Sequence, residues 1–377
     1  MKDATPGAAK HEIRVLLVDD SSVSIEIIRR MLATAPEIRI VGIAVNGVEA
    51  LQLIPQVRPD VICTDLHMPK MNGLEMIREL MLRDPLPVLV LSVSVQSEQK
   101  DNIFQMLEAG ALDILAKPHG GMEADFGGLA HDLVTKIRVL SGVKVIRRPR
   151  SANGAIPGRI FPPRRLPGAA RPQIIGIGAS TGGPQALERI LGSLPQSFPL
   201  PLICVQHIAE GFMQGLVDWL ATHCRIRVRT AEEGTEPHAG TAYFPPNDRH
   251  LEIDASGRFR CSGALAVGGH RPSVDIALSS LARHYRDATL GVLLTGMGQD
   301  GATGMLEIAR AGGTTIAQDE ESSVVFGMPK RAIELGAARY VLPLVEIGPA
   351  LCTMVNGKSM PAQPMANLAE ALPAKQP

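Results

Sequence analysis

Aromatic side chains make up only 3% of this 377-residue chain, with a single tryptophan. That scarcity leaves no base-stacking surface for single-stranded nucleic acid. Cysteines are few as well: Cys63, Cys204, Cys224, Cys261 and Cys352 are scattered, odd in number and without a C-x-x-C pair. Neither a disulfide framework nor a zinc site is expected from that spacing, and a reducing cytoplasm fits it best. Net charge is missing too. Lys and Arg number 38 against 38 Asp and Glu, so no global field draws the chain to nucleic acid or to an anionic membrane. No apolar run approaches a membrane span and no early stretch resembles a signal peptide, so direct membrane insertion is not expected. What remains is an α/β protein long enough for roughly two to three domains.

Two modules are legible, over 11–140 and 173–357, with a linker at 141–172 between them and a tail at 358–377. In the first, strand patterns at Ile13–Val18, Ile38–Val45, Val61–Thr64, Val88–Ser92 and Ala111–Ala116 alternate with helical ones. Those helical patterns run over Ser22–Ala35, Val48–Val57, Gly73–Leu82, Glu98–Ala109 and Gly128–Leu140. Strands that are apolar throughout, rather than alternating, predict a parallel sheet covered on both faces, hence a doubly wound fold. The linker is rich in Pro, Gly, Ala and Arg and lacks any acid. It reads as flexible, its arginines either solvated or docked on an acidic surface. The second module is another doubly wound, mostly parallel α/β unit. A hairpin is inserted in it, Leu251–Asp254 against Arg258–Cys261 across Ala255-Ser256-Gly257. The Ala/Pro-rich tail reads as disordered.

Ligands bind at the carboxyl ends of parallel strands, and three carboxylates stand there: Asp19 and Asp20 after the first strand, Asp65 after the third. Any one of them has a bland role as a loop cap. Together they form an acidic pocket that suits a hard cation such as Mg²⁺. Ser92 ends the fourth strand and Lys117, before Pro118, ends the fifth. A hydroxyl and a cation at those places would serve a phosphoryl group on Asp65.

Val18-Asp19-Asp20-Ser21, Asp65-Leu66-His67-Met68-Pro69-Lys70-Met71-Asn72-Gly73-Leu74, Ser92 and Lys117-Pro118 resemble the receiver domain of two-component response regulators. The resemblance implies a five-stranded flavodoxin-like fold in which Asp65 accepts a phosphoryl group from a histidine kinase. It also implies that Asp20 and Asp65, with Asp19 nearby and the carbonyl of His67, hold Mg²⁺. Asn72 stands where an aspartate is more usual.

The second module opens on Ile174-Ile175-Gly176-Ile177-Gly178-Ala179-Ser180-Thr181-Gly182-Gly183-Pro184, an apolar strand that runs into a glycine-rich turn with a serine at its tip. A helix follows, with Leu187, Ile190, Leu191 and Leu194 on one face, and its first N–H groups point where an oxyanion could develop. A dinucleotide site fits poorly. Thr181 takes the place of the third glycine of G-x-G-x-x-G, and the next strand, Pro201–His207, ends without an acid for a ribose. A P-loop fails for want of G-K-[ST]. A reactive serine and a plain strand-to-helix turn stay open together.

A reactive serine needs a base, and the base an orienting acid. His207 ends the neighbouring strand, whereas His223, His238, His250, His270 and His284 sit in polar or helical contexts. Asp300 lies in the glycine-rich turn after Leu290–Leu294, placed either to accept from Nδ1–H of His207 or to cap the helix beyond it. The order Ser180, His207, Asp300 is not that of α/β hydrolases, but a triad is recognised by geometry.

Ile177-Gly178-Ala179-Ser180-Thr181-Gly182-Gly183, Gln206-His207, Pro246-Asn247-Asp248-Arg249-His250 and Leu294–Gly301 resemble the catalytic domain of the chemotaxis protein-glutamate methylesterase family, CheB. Gln318 and Val325-Phe326-Gly327-Met328-Pro329 add to the likeness. It implies Ser180 as nucleophile, His207 as base and Asp300 as its acid, with Thr181 and Met297 supporting the oxyanion and the serine–histidine geometry. The implied reaction demethylates glutamate esters on methyl-accepting chemoreceptors, deamidates certain glutamines, and needs no cofactor of its own. Two other classes stand beside it: a receiver driving a DNA-binding effector, and a receiver fused to a nucleotide-binding or adaptor domain. The first calls for a shorter, basic, all-helical effector. The second calls for Ser180, His207 and Asp300 to stay apart.

Overall fold

The computed structural model describes residues 12–92, 100–117, 126–143, 145 and 171–356. Pro118, most of the expected linker and the expected tail lie outside the described residues. Two compact units divide the chain, Met1–Arg150 with Ile208–Trp219 and Ser151–His207 with Leu220–Pro377. No helix among the described residues is long and apolar enough to cross a membrane.

In the first unit, β1 (Ile13–Val18), β2 (Ile38–Ala44), β3 (Val61–Thr64), β4 (Val88–Ser92) and β5 (Asp113–Ala116) alternate with α1 (Ser22–Leu32), α2 (Gly47–Val57), α3 (Gly73–Arg83), α4 (Lys100–Ala109) and α5 (Phe126–Leu140). The strands run in the order β2-β1-β3-β4-β5, and every pair is parallel. β1, β3 and β4 bury nearly every side chain between the two helical layers, so the continuous apolar runs have the cause expected of them. Polar caps start the helices: Ser21, Asn46 and Asn72 accept from Ser24, Glu49 and Glu75 N–H, and Asn72 with Glu75 forms a full capping box. Asn72 is therefore a helix cap, a role that reading it as a replacement for aspartate did not reveal.

The second unit is built on β6 (Ile174–Ala179), α6 (Gly183–Ser193), β7 (Leu202–Gln206), β8 (Arg227–Thr230) and β9 (Thr241–Phe244), while α7 (Met213–His223) is divided, its residues up to Trp219 falling to the first unit. After these come β10 (His250–Ile253), β11 (Phe259–Ser262), α8 (Val274–Tyr285), β12 (Thr289–Leu293), α9 (Ala302–Arg310), β13 (Thr314–Gln318), α10 (Met328–Glu334), β14 (Tyr340–Leu342) and α11 (Leu344–Val355). Seven strands form one sheet, β14-β13-β12-β6-β7-β9-β8, parallel at every pairing. β10 and β11 form the separate antiparallel hairpin, Ile253 opposite Phe259, close to where turn chemistry placed it. Gly176 and Gly178 inside β6 have a packing role. A Cβ on them would come within 2.5 Å of Leu278 and 2.2 Å of Val274, so α8 lies directly on the backbone of the central strand.

Candidate active site and phosphoacceptor pocket

Ser180, His207 and Asp300 all stand at one end of the seven-stranded sheet. In the register of β6 against β7, Ala179 is opposite Gln206, so Ser180 and His207 are the next residue on each strand. On the other flank Gly178 is opposite Leu293, and Asp300 lies in the turn between β12 and α9. His207 Nε2 donates to Asp300 Oδ2 at 2.8 Å. Because β6 sits between β7 and β12, this bond passes over the end of the strand that carries Ser180.

The ring nitrogen differs from the expectation. Asp300 pairs with Nε2, and Nδ1 is buried with no hydrogen-bond partner. Reaching across β6 extends the imidazole, so its far nitrogen meets the acid and the near one is left as an unprotonated acceptor.

Asp300 is satisfied on every side. Its carboxylate accepts from Val274 N–H (2.7 Å), Asp275 N–H (3.0 Å), Ser273 Oγ (2.9 Å) and Gly301 N–H (3.1 Å). Two of these donors are the first N–H groups of α8, so the helix dipole also favours the negative charge. Burial alone would raise this carboxyl. His207 and the backbone donors outweigh it and hold the pKa at about 2. Asp300 thus caps α8, not α9, whose N-cap is Gly301. α8 returns the interaction: Asp275 accepts Gly304 N–H at 2.7 Å in the first turn of α9. Burial, joined by the charge of Asp300, pushes Asp275 up.

The backbone around the serine is tied from both sides. Ser180 N–H donates to Thr295 O at 3.0 Å, and Ser180 O accepts from Gly183 N–H at 2.7 Å. Gln206 spends both amide hydrogens here, on Ser180 O (2.7 Å) and His207 O (2.8 Å). Gln318 Oε1 holds Thr295 N–H at 2.8 Å. Thr181 follows Ser180 directly. Met297 follows Gly296, where an added Cβ would come within 2.7 Å of Ser180 Cβ, so the two turns press against each other.

Two histidines passed over as polar-context residues belong to this region. His270 stacks on His207, ring centroids 3.9 Å apart and planes 8° from parallel. His250 is fully buried, accepts Ser273 N–H at Nδ1 (3.1 Å) and donates from Nε2 to Leu265 O (3.1 Å). The one available signal was Ser273, an N-cap just after Pro272 that fixes where this loop meets α8.

In the first unit Val18 pairs with Thr64 and Ser92 with Ala116. That register sets Asp19 beside Asp65 and Ser92 beside Lys117 at the sheet edge. Asp19, Asp20 and Asp65 bring carboxylate oxygens within 4.8 Å of one another. Lys117 Nζ contacts Asp19 Oδ2 at 2.6 Å and Asp65 Oδ2 at 2.8 Å. Burial pushes the Asp19 carboxyl up against the pull of Lys117 and Ser21 N–H. Ser92 is buried. A cavity of about 440 Å³ lined by Asp20, His67, Met68, Pro69 and Asn72 opens on the cluster.

Residues 175–351 match the CheB methylesterase family, and 15–123 match the response regulator receiver domain. A protein-glutamate methylesterase/protein-glutamine glutaminase of Myxococcus xanthus is 40% identical over 92% of this chain and 98% of its own length. One from Anaeromyxobacter dehalogenans is 44% identical, over 90% and 96%. The chain belongs to this family. As a member it is a hydrolase with a response regulator receiver ahead of its methylesterase domain. The crystal structure of the Thermotoga maritima CheB methylesterase catalytic domain is also similar, at 41% identity and a TM-score of 0.48, covering 49% of this chain and all of that one.

Proposed function

We propose that Ser180 is the nucleophile, His207 the general base and Asp300 its orienting acid in hydrolysis of glutamate γ-methyl esters on chemoreceptors. The observation that carries this reading is the His207–Asp300 bond across the end of β6, with Nδ1 left as an acceptor. In the reaction the Ser180 hydroxyl proton passes to His207 Nδ1 as Oγ bonds the ester carbon. The carbon–methoxy bond then breaks, and methanol leaves with that proton. A water, deprotonated in turn by His207, splits the acyl-serine and returns the glutamate carboxylate and the serine. A glutamine side chain follows the same route with ammonia leaving. Thr181 and Met297 flank the place where the oxyanion develops, and a pair of well-aimed donors there is worth roughly 10²-fold or more. The esterase reaction draws on no cofactor.

Asp65 is the phosphoacceptor for a chemotaxis histidine kinase. Asp19, Asp20 and Asp65, with the carbonyl of His67, fit Mg²⁺: three hard carboxylate donors converge within 4.8 Å of one another. When bound, that ion neutralises charge on the phosphoryl oxygens. Lys117 and Ser92 contact the phosphoryl group from β5 and β4. The working divisions are a receiver at 11–140, a linker at 141–172, a catalytic domain at 173–357 and a tail at 358–377, all acting in the cytoplasm. The unphosphorylated receiver restrains the serine segment and phosphorylation of Asp65 releases it, a switch needing only a few kcal/mol of bias.

The test compares esterase rates of full-length protein, with and without a small phosphodonor, against a Gln173–Asn356 fragment. Stimulation by the donor, and a fragment faster than the resting protein, are expected. Three equal rates would sink the switch, and Ser180→Ala with full activity would sink the mechanism.

A further inference from the structure

An enzyme that works on one side chain of a protein must also accept the surface around that side chain. We propose that the loop Gly263–Gly269 is that docking surface, taking up apolar side chains that flank the modified glutamate of the protein substrate. The inference rests on the assignment of Ser180 and His207 above.

Gly263-Ala264-Leu265-Ala266-Val267-Gly268-Gly269 carries no polar side chain, and all seven residues are exposed. Leu265 is 87% exposed, the most of any large hydrophobic among the described residues, and Val267 42%. Single exposed apolar residues are ordinary and need no account. This loop differs because its backbone is pinned while its side chains stand free. Ala264 N–H donates to Ser262 Oγ at 3.1 Å, Arg271 to Ala264 O at 3.2 Å, and His250 to Leu265 O at 3.1 Å. Arg271 is itself clamped on Asp248, Nε to Oδ1 at 2.6 Å. Val267 and His270 exchange both backbone hydrogen bonds at 3.0 Å, closing a tight turn through Gly268 and Gly269 at φ +58° and +86°. Glycine takes that conformation without strain.

Pinning an exposed leucine brings no gain in stability, because the side chain stays in water. Its gain comes when a partner covers it, since little ordering is then left to be done. The position says which partner. The turn ends at His270, whose ring lies on His207, so the loop adjoins the proposed active site. Any protein that presents an esterified glutamate to Ser180 has its flanking residues within reach of this loop.

The experiment uses the full-length chain carrying Leu265→Asp with Val267→Asp, and separately Leu265→Ala. Two substrates are compared, a methyl-labelled chemoreceptor fragment and a small glutamate γ-methyl ester. Burial of a leucine corresponds to roughly tenfold or more in binding. The double variant is therefore expected to lower kcat/KM on the receptor fragment about tenfold or more, through KM, and to stay within about twofold on the small ester. Leu265→Ala should follow in the same direction with a smaller effect and an unchanged melting temperature. Unchanged kinetics on the receptor fragment would overturn the inference. A parallel loss on both substrates would overturn it too, by showing that the loop serves His207 rather than the substrate. A dimer in size-exclusion chromatography that the double variant converts to monomer, with kinetics intact, would assign the face to a second copy. Ser180→Ala active on the small ester would overturn the assignment beneath, leaving the loop result readable on its own.

Discussion

The two units each bury an aspartate at the carboxyl end of a parallel sheet, and the two carboxylates are treated in opposite ways. Asp300 is surrounded by donors, a serine hydroxyl, three backbone N–H groups and an imidazole, and sits at about 2. Asp19 has one backbone donor and shares Lys117 with Asp65, and burial pushes it up. The orienting role proposed for Asp300 requires a permanent charge, and its complete shell of donors supplies it. For the cation-sharing role proposed for Asp19, a thinner shell of donors leaves room for an ion. Buried acids at equivalent topological places thus announce different trades through how they are satisfied.

The largest expected break in this contrast comes from removing the charge that is always present. Asp300→Asn should lower kcat roughly 10³- to 10⁴-fold with the fold intact, measured as steady-state methyl ester hydrolysis, because the amide no longer selects the right imidazole tautomer. On the other side, Asp65→Asn should leave resting esterase activity within about twofold and abolish stimulation by a phosphodonor, an effect of roughly tenfold or more. Rates with and without the donor decide it.

Acid distinguishes the two centres next. The Asp300 carboxyl is depressed from 3.8 to about 2, so its contribution is fully present above pH 4 and fades as pH falls through about 2. That contribution is worth about 2 kcal/mol. Asp300→Asn should therefore flatten the acid limb of a stability curve from denaturant melts at stepped pH. Asp19 has the opposite sign: a raised carboxyl contributes stability below its ordinary pKa and loses it as pH rises. Asp19→Asn should thus stabilise the first unit at neutral pH. The smallest effect is expected from Mg²⁺ in millimolar excess. It should raise the melting temperature of the receiver transition by a few degrees through linkage and leave the catalytic transition in place, as differential scanning calorimetry would show.

Most of the fold was legible because the central strands of each sheet are almost wholly apolar and α1, α2, α3 and α8 begin on polar caps, both local signals. The carboxylates at the ends of β1 and β3 were legible for the same reason, since strand ends in a parallel sheet converge. His207 and Asp300 could be paired by that logic, but not the ring nitrogen, which depends on how far the imidazole must reach over β6. Nor could the reciprocal contacts of α8 and α9 with Asp300 and Asp275, since Asp300 read from sequence as a cap for the helix that follows it and Asp275 carried no signal of its own. His270 was missed outright. Its place on His207 is set by a turn, an arginine clamp and a cap that lie apart in the chain, and no periodicity records such a convergence. Asn72 shows the reverse failure: the Asn72…Glu75 spacing of a capping box was in plain view.

His207 and Asp300 are 93 residues apart in sequence, and their bond closes only once β6, β7 and β12 lie side by side. In chain order Ser180 therefore comes well before β12, the strand whose following turn brings Asp300 to it. On the proposed assignment, esterase activity requires β12 to lie beside β6, so a chain truncated before β12 is expected to be inactive.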